Sequence, residues 1–117
     1  MKYFILLLLL ITLFSCKKDK TETSEFNANC EDEISYSSDI QSIITSSCAT
    51  SGCHNAASAA AGYVLENHEQ MSTNADIMFS VIRHDEGVVA MPIGASKLSD
   101  EFINEFFCWM EQGKQNN

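Results

Sequence analysis

Hydrophobic positions fall into distinct blocks along the chain, each with its own period. The first is a continuous apolar run from Tyr3 to Phe14, preceded by one positive charge at Lys2. It is too short for a comfortable membrane span and has the form of a secretory signal segment. From Lys17 to Asn29 the chain is polar, with Phe26 its one aromatic residue, which predicts a flexible spacer. Beyond it the period becomes helical. Ile40, Ile43 and Ile44 share one face of a helix expected over about Ser38–Ser47, with Ser38 as N-cap and Asp39 at its positive end. Ile77, Met78, Val81 and Ile82 define a second helix, capped by Asn74 and ending near Arg83 and His84 before Gly87. The third is the clearest: Ser99 caps, Asp100 and Glu101 fill the first turn, and Phe102, Ile103, Phe106, Phe107 and Met110 form the buried stripe. Gly113 stops it. No strand pair is expected, so the fold class is all-α with about three main helices.

The apolar run ends in Leu13-Phe14-Ser15-Cys16, which resembles a bacterial lipobox. This divides the chain into a signal peptide (1–15), a spacer following a lipidated Cys16 (16–29) and one small domain (30–117). The expected location is the cell envelope, with the chain tethered to a bacterial membrane by acyl chains and not spanning it. Lys17, Lys18 and Lys20 beside the lipid site suit either anionic headgroups or recognition by transport machinery.

A domain of this size has little core of its own, so a disulfide, a metal or a large cofactor is expected. The five cysteines fit such a scheme. Cys16 takes lipid, and Cys48 and Cys53 belong to the run Cys48-Ala49-Thr50-Ser51-Gly52-Cys53-His54. Cys30 and Cys108 are then left as a pair for one disulfide in an oxidising compartment. Two thiols on a short loop followed at once by an imidazole are what covalent haem attachment requires. The thiols add across the porphyrin vinyl groups and the His becomes the proximal iron ligand. The common form is C-x-x-C-H, and here the cysteines are two residues further apart.

Between the second and third helices lies Gly87-Val88-Val89-Ala90-Met91-Pro92-Ile93-Gly94-Ala95-Ser96, a loop of small residues carrying the chain's only proline. Met91 is the candidate distal ligand, since a thioether opposite His is a common iron pair and raises the reduction potential. Pro92 fixes its own φ and steadies the loop. His84 is the alternative sixth ligand, though a helix-terminal role facing the dipole is the simpler reading. His68 sits among polar residues and reads as a surface group, while Met71, Met78 and Met110 read as core.

The formal net charge is −9, and losing Lys2 with the signal leaves about −10. Beyond the spacer the only cations are Arg83, Lys97 and Lys114. Nucleic-acid binding is excluded for want of a basic face, and a basic-faced redox protein is the expected partner. No G-x-S-x-G element, paired carboxylates in an apolar setting or His cluster for zinc is present, so no enzyme is expected.

The segment from Ile34 to Ile44, the run to His54, Met91-Pro92, Lys97-Leu98-Ser99 and Phe107-Cys108-Trp109-Met110-Glu111-Gln112-Gly113 together resemble the small c-type cytochrome domains of Bacteroidetes lipoproteins. Those are similar to the planctomycete-type cytochrome c group. The resemblance implies an all-α cytochrome c fold around one covalent haem c, with thioethers at Cys48 and Cys53. It also implies His54 as proximal and Met91 as distal ligand. The C-x4-C-H spacing recurs in that group, and Trp109 would pack near the haem or the first helix. Two other readings stay open at this point. One is a haem sensor or peroxidase-like site with an open sixth position. The other is a non-haem binding lipoprotein with a Cys48–Cys53 disulfide, or with zinc or copper on Cys48, Cys53, His54 and Met91.

Overall fold

The computed structural model describes residues 26–117. The expected signal peptide, the expected lipidation site Cys16 and most of the expected spacer lie outside the described residues. Within them the chain is all-helical, with no strand.

The first helical segment opens with a π-helical turn, Tyr36–Ile40, and continues as α1, Gln41–Ser47. Its N-cap is Ser35, three residues before the expected Ser38: the Ser35 hydroxyl accepts from the Ser38 N–H, and the Asp39 carboxylate accepts from the Ser35 N–H at 2.8 Å. Tyr36, Ile40 and Ile44 bury the face that the isoleucine spacing marked out.

Helix α2 spans His68–Arg83, beginning well before the expected Asn74. Asn67 forms a capping box with Gln70, which satisfies free N–H groups at both positions. Asn74 instead lies inside the helix, its amide donating to the Gln70 carbonyl at 2.7 Å. The early turns were hidden because their apolar contacts are single residues, Met71 and Ala75, in a polar background.

Helix α3, Asp100–Glu111, starts at Ser99 as expected. It closes in a paired hydrogen-bond motif: the Lys114 N–H donates to Trp109 and the Gly113 N–H to Met110. Gly113 has φ +94°, the left-handed geometry that such an ending requires.

The core gathers Tyr36, Ile40 and Ile44 from the first segment, Met71, Met78 and Ile82 from α2, and Phe102, Ile103, Phe106 and Trp109 from α3. Trp109 is fully buried and stacks on the first segment through Tyr36, while its indole N–H donates to Gln115. His68 is not the surface group the sequence suggested. Its ring packs edge-on to Tyr36 and Trp109, and Nε2–H donates to the Lys114 carbonyl at 2.7 Å. Cys30 and Cys108 form a disulfide with Cα atoms 5.2 Å apart, pinning the entry arm to α3. Ahead of it Phe26, placed in the spacer by composition, packs against Phe79 and Phe107 under the Arg83 guanidinium. Among the described residues no helix is long and apolar enough to cross a membrane.

Candidate functional site

Helix α1 ends at Cys48, whose N–H still donates to Ile44 at 2.8 Å, so the first thiol is delivered on the buried face of the helix. The chain then turns back on itself. Cys53 N–H donates to Thr50, His54 N–H donates to Cys48 at 3.0 Å, and Gly52 takes φ +82° to make the reversal. Gly52 N–H is held by the Ser58 hydroxyl. The result is a tight loop with a buried thiol at one end, an exposed thiol at the other and His54 directly after it.

Three contacts fix His54. Its backbone N–H binds Cys48, its carbonyl accepts from Leu65 N–H at 2.8 Å, and ring Nδ1 lies 3.2 Å from the Tyr63 carbonyl oxygen. A carbonyl can only accept, so Nδ1 carries the proton and Nε2 keeps a bare lone pair. This is the tautomer of a metal-binding imidazole steadied by a backbone carbonyl.

Met91 reaches the same place from the other side of the chain. Its N–H donates to Val81 in the last turn of α2 at 3.0 Å, and its carbonyl accepts from His84 Nε2, also at 3.0 Å. The peptide linking it to Pro92 is cis.

These pieces converge. Cys48, Cys53, His54 and Met91 all line one cleft of about 330 Å3, with Ser47, Ala60, Pro92 and Ile93 completing its wall. A second, smaller cavity of about 70 Å3 shares His54 and Met91 and is otherwise walled by Tyr63, Leu65, Ile77, Met78 and Val81. Among the described residues the large hydrophobic side chains most open to solvent are Ile93 (71%), Val89 (63%), Ile77 and Tyr63. Three of them border these cavities, and Val89 is on the Met91 loop. Exposed apolar side chains gathered around two adjoining cavities are the kind of surface that receives a ligand or partner.

The cleft is also electrically quiet. From Ile40 to Leu65 and from Gly87 to Ser96 there is no Asp, Glu, Lys or Arg, in a chain that is 20% charged. Arg83 and Lys97 are paired with Asp85 and Asp100. On the acidic exterior, burial and then the neighbouring Asp39 and Glu101 raise the Glu105 carboxyl above its ordinary value.

Burial, with Cys53 adding to it, pushes the Cys48 thiol up from 9.0 to about 11. Near neutral pH it is therefore a protonated thiol, whose proton a metal would have to displace. Among the described residues no three or more His, Cys, Asp and Glu are grouped to hold a metal ion, which removes support for the zinc variant of the non-haem reading. Cys48 and Cys53 are free thiols, so the disulfide that this reading needed between them is not formed.

The raised thiol makes stability depend on pH while Cys48 is free. The folded state holds the Cys48 proton more tightly than the unfolded chain, so this stabilisation is complete below about pH 9 and is lost as pH rises towards 11. The expected loss, from urea unfolding at stepped pH, is roughly 2–3 kcal/mol over that window. Cys48→Ala should flatten it.

The four residues named from the sequence, Cys48, Cys53, His54 and Met91, all line this cleft, whereas Tyr63, which acts through its backbone carbonyl, and the use His84 is put to were missed. The uncharged stretches of 40–65 and 87–96 were the available signal for the cleft walls. Searches of protein-family models, curated proteins and solved structures returned no match to this chain.

Proposed function

We propose that the chain is a lipid-anchored monohaem c-type cytochrome of the bacterial cell envelope that transfers electrons and is not an enzyme. The observation that carries this reading is the meeting of Cys48, Cys53, His54 and Met91 on one apolar cleft, though Met91 lies far along the chain from the other three. The donor set fits haem c: two thiols at one edge, an imidazole with Nε2 bare, and a thioether on a tethered loop.

In this reading Cys48 and Cys53 carry the two thioether bonds. A thioether has no proton to lose, so the burial that opposes a Cys48 thiolate does not oppose it. His54, held through Nδ1 by the Tyr63 carbonyl, would offer Nε2 to the iron, and Met91 would offer its sulfur in the distal position. His84 is the weaker candidate for that position because its Nε2 is engaged with the Met91 carbonyl. Leu65 and Met78, which line the adjoining smaller cavity, and Ile93 on the cleft wall would shield a bound haem from water. Bound haem would supply a one-electron iron couple, whose potential is tuned by the thioether ligand and the apolar walls.

The neutral rim suits close approach of a redox partner. The acidic remainder of the domain would steer a basic-faced one, with a rate that falls as salt rises. Cys16 would confine the search to the membrane surface through its lipid. If His54 and Met91 both bind the iron, the loaded chain should titrate as one reversible one-electron centre and take up no carbon monoxide. Rapid carbon monoxide uptake by the wild-type chain would mark an open sixth position and favour the sensor reading instead.

A further inference from the structure

We propose that His84 is a positioning residue that fixes the Met91 loop against the end of α2 and so sets how firmly Met91 can serve the cleft. The inference rests on the haem reading for its consequence but not for its geometry.

Helix α2 ends by turning left-handed at His84, with φ +63° and ψ +43°. The hydrogen bonds are those of a glycine-type helix ending: His84 N–H donates to Val81, and Asp85 N–H donates to Ser80 at 3.1 Å. Glycine is the residue that takes this conformation without a steric penalty, and a side chain there is costly. Histidine is among the residues that tolerate it best. A side chain kept where glycine is favoured calls for a task, and the structure supplies one.

The left-handed turn swings the imidazole back over the following loop. There Nε2 lies 3.0 Å from the Met91 carbonyl oxygen. That oxygen can only accept, so His84 donates. The Met91 N–H is meanwhile bound to Val81. Both polar groups of the Met91 peptide backbone are thus tied to the last turn of α2, one by the helix and one by the imidazole. The segments on either side carry Gly87 and Gly94 at positive φ, so these two bonds anchor the Met91 backbone between flexible turns. Without His84 the Met91 carbonyl would lose its bond to the end of α2, and the N–H would keep its bond to Val81.

Two variants test the assignment in the full-length mature chain. His84→Gly relieves the left-handed strain and removes the imidazole, while His84→Gln restores a side-chain donor of similar reach. The first readout is amide hydrogen exchange, and the second is the rate at which added imidazole displaces the distal ligand from the haem-loaded protein. In His84→Gly, exchange at Met91 and imidazole displacement should each rise about two- to tenfold, the worth of one hydrogen bond. His84→Gln should fall back towards wild type in both. Unchanged exchange at Met91 in His84→Gly would overturn the proposal. So would faster exchange that spreads to the α3 amides of Phe106 and Trp109, or that His84→Gln fails to reverse, since His84 would then support the fold at large. A wild-type chain that takes up no haem would refute the haem reading, while the exchange result would still decide the clamp.

Discussion

Met91→Ala should leave the haem covalently bound yet lower its reduction potential by roughly 0.1 V or more, within the approximately 0.8 V that axial ligands span. The same variant should take up carbon monoxide and imidazole, which the wild type should resist. The effect should be large because a thioether ligand favours reduced iron and would close the sixth position. It is also local. The contacts that hold residue 91 are its backbone N–H to Val81 and its carbonyl to His84, and both survive truncation to Ala. Attachment would depend on Cys48 and Cys53, which come to the cleft from a different segment of the chain. Potentiometric titration alongside carbon monoxide difference spectra measures both consequences. An unchanged potential with no ligand uptake would show that Met91 does not reach the iron.

The double variant Cys30→Ala/Cys108→Ala should cost about 2–5 kcal/mol of stability, the usual worth of a native disulfide in a small exported domain. The bridge spans 78 residues of sequence, for which loop-closure entropy alone gives about 4.5 kcal/mol. Thermal unfolding of the otherwise identical protein should then shift down by roughly 10–30 °C. The loss should fall on one region, because the bridge ties the entry arm to α3. Beyond it Ile34 N–H donates to the Gln112 side chain, and Tyr36 N–H to that of Asn117. Faster exchange at those amides would locate the effect, and a shift below about 1 kcal/mol would mean that packing of Phe26 and Tyr36 already holds the arm.

The parts of the fold that were legible in the sequence are those specified by side chains close to one another in the chain. Ser99, Asp100 and Gly113 delimit α3 because a cap, an acidic first turn and a left-handed stop are local devices. Asn67 and Gln70 form an equally local device, but it stands before a weakly apolar stretch, and the stronger isoleucine pattern further on drew the boundary to Asn74. The first helix began early for a similar reason: Ser35 and Ser38 are interchangeable as caps by type, and only the bond from Asp39 back to Ser35 selects between them. At the cleft, Cys48, Cys53, His54 and Met91 announce themselves by residue type. Tyr63 does not, since any residue supplies a carbonyl, and His84 is read as a rival ligand until the chain reversal at the end of α2 is known. The charge-free stretches lining the cleft were visible, but they acquire meaning only when the fold brings them face to face.

The most direct measurement is the mass of the chain under denaturing conditions, after expression in a host that loads a control protein of the same C-x4-C-H spacing. The account predicts a gain of one haem that survives denaturation, with a pyridine haemochrome spectrum of the c type. It also predicts that the gain is confined to the peptide containing Cys48 and Cys53. A chain recovered at its apoprotein mass, with both thiols free to alkylating reagent while the control is loaded, would contradict it.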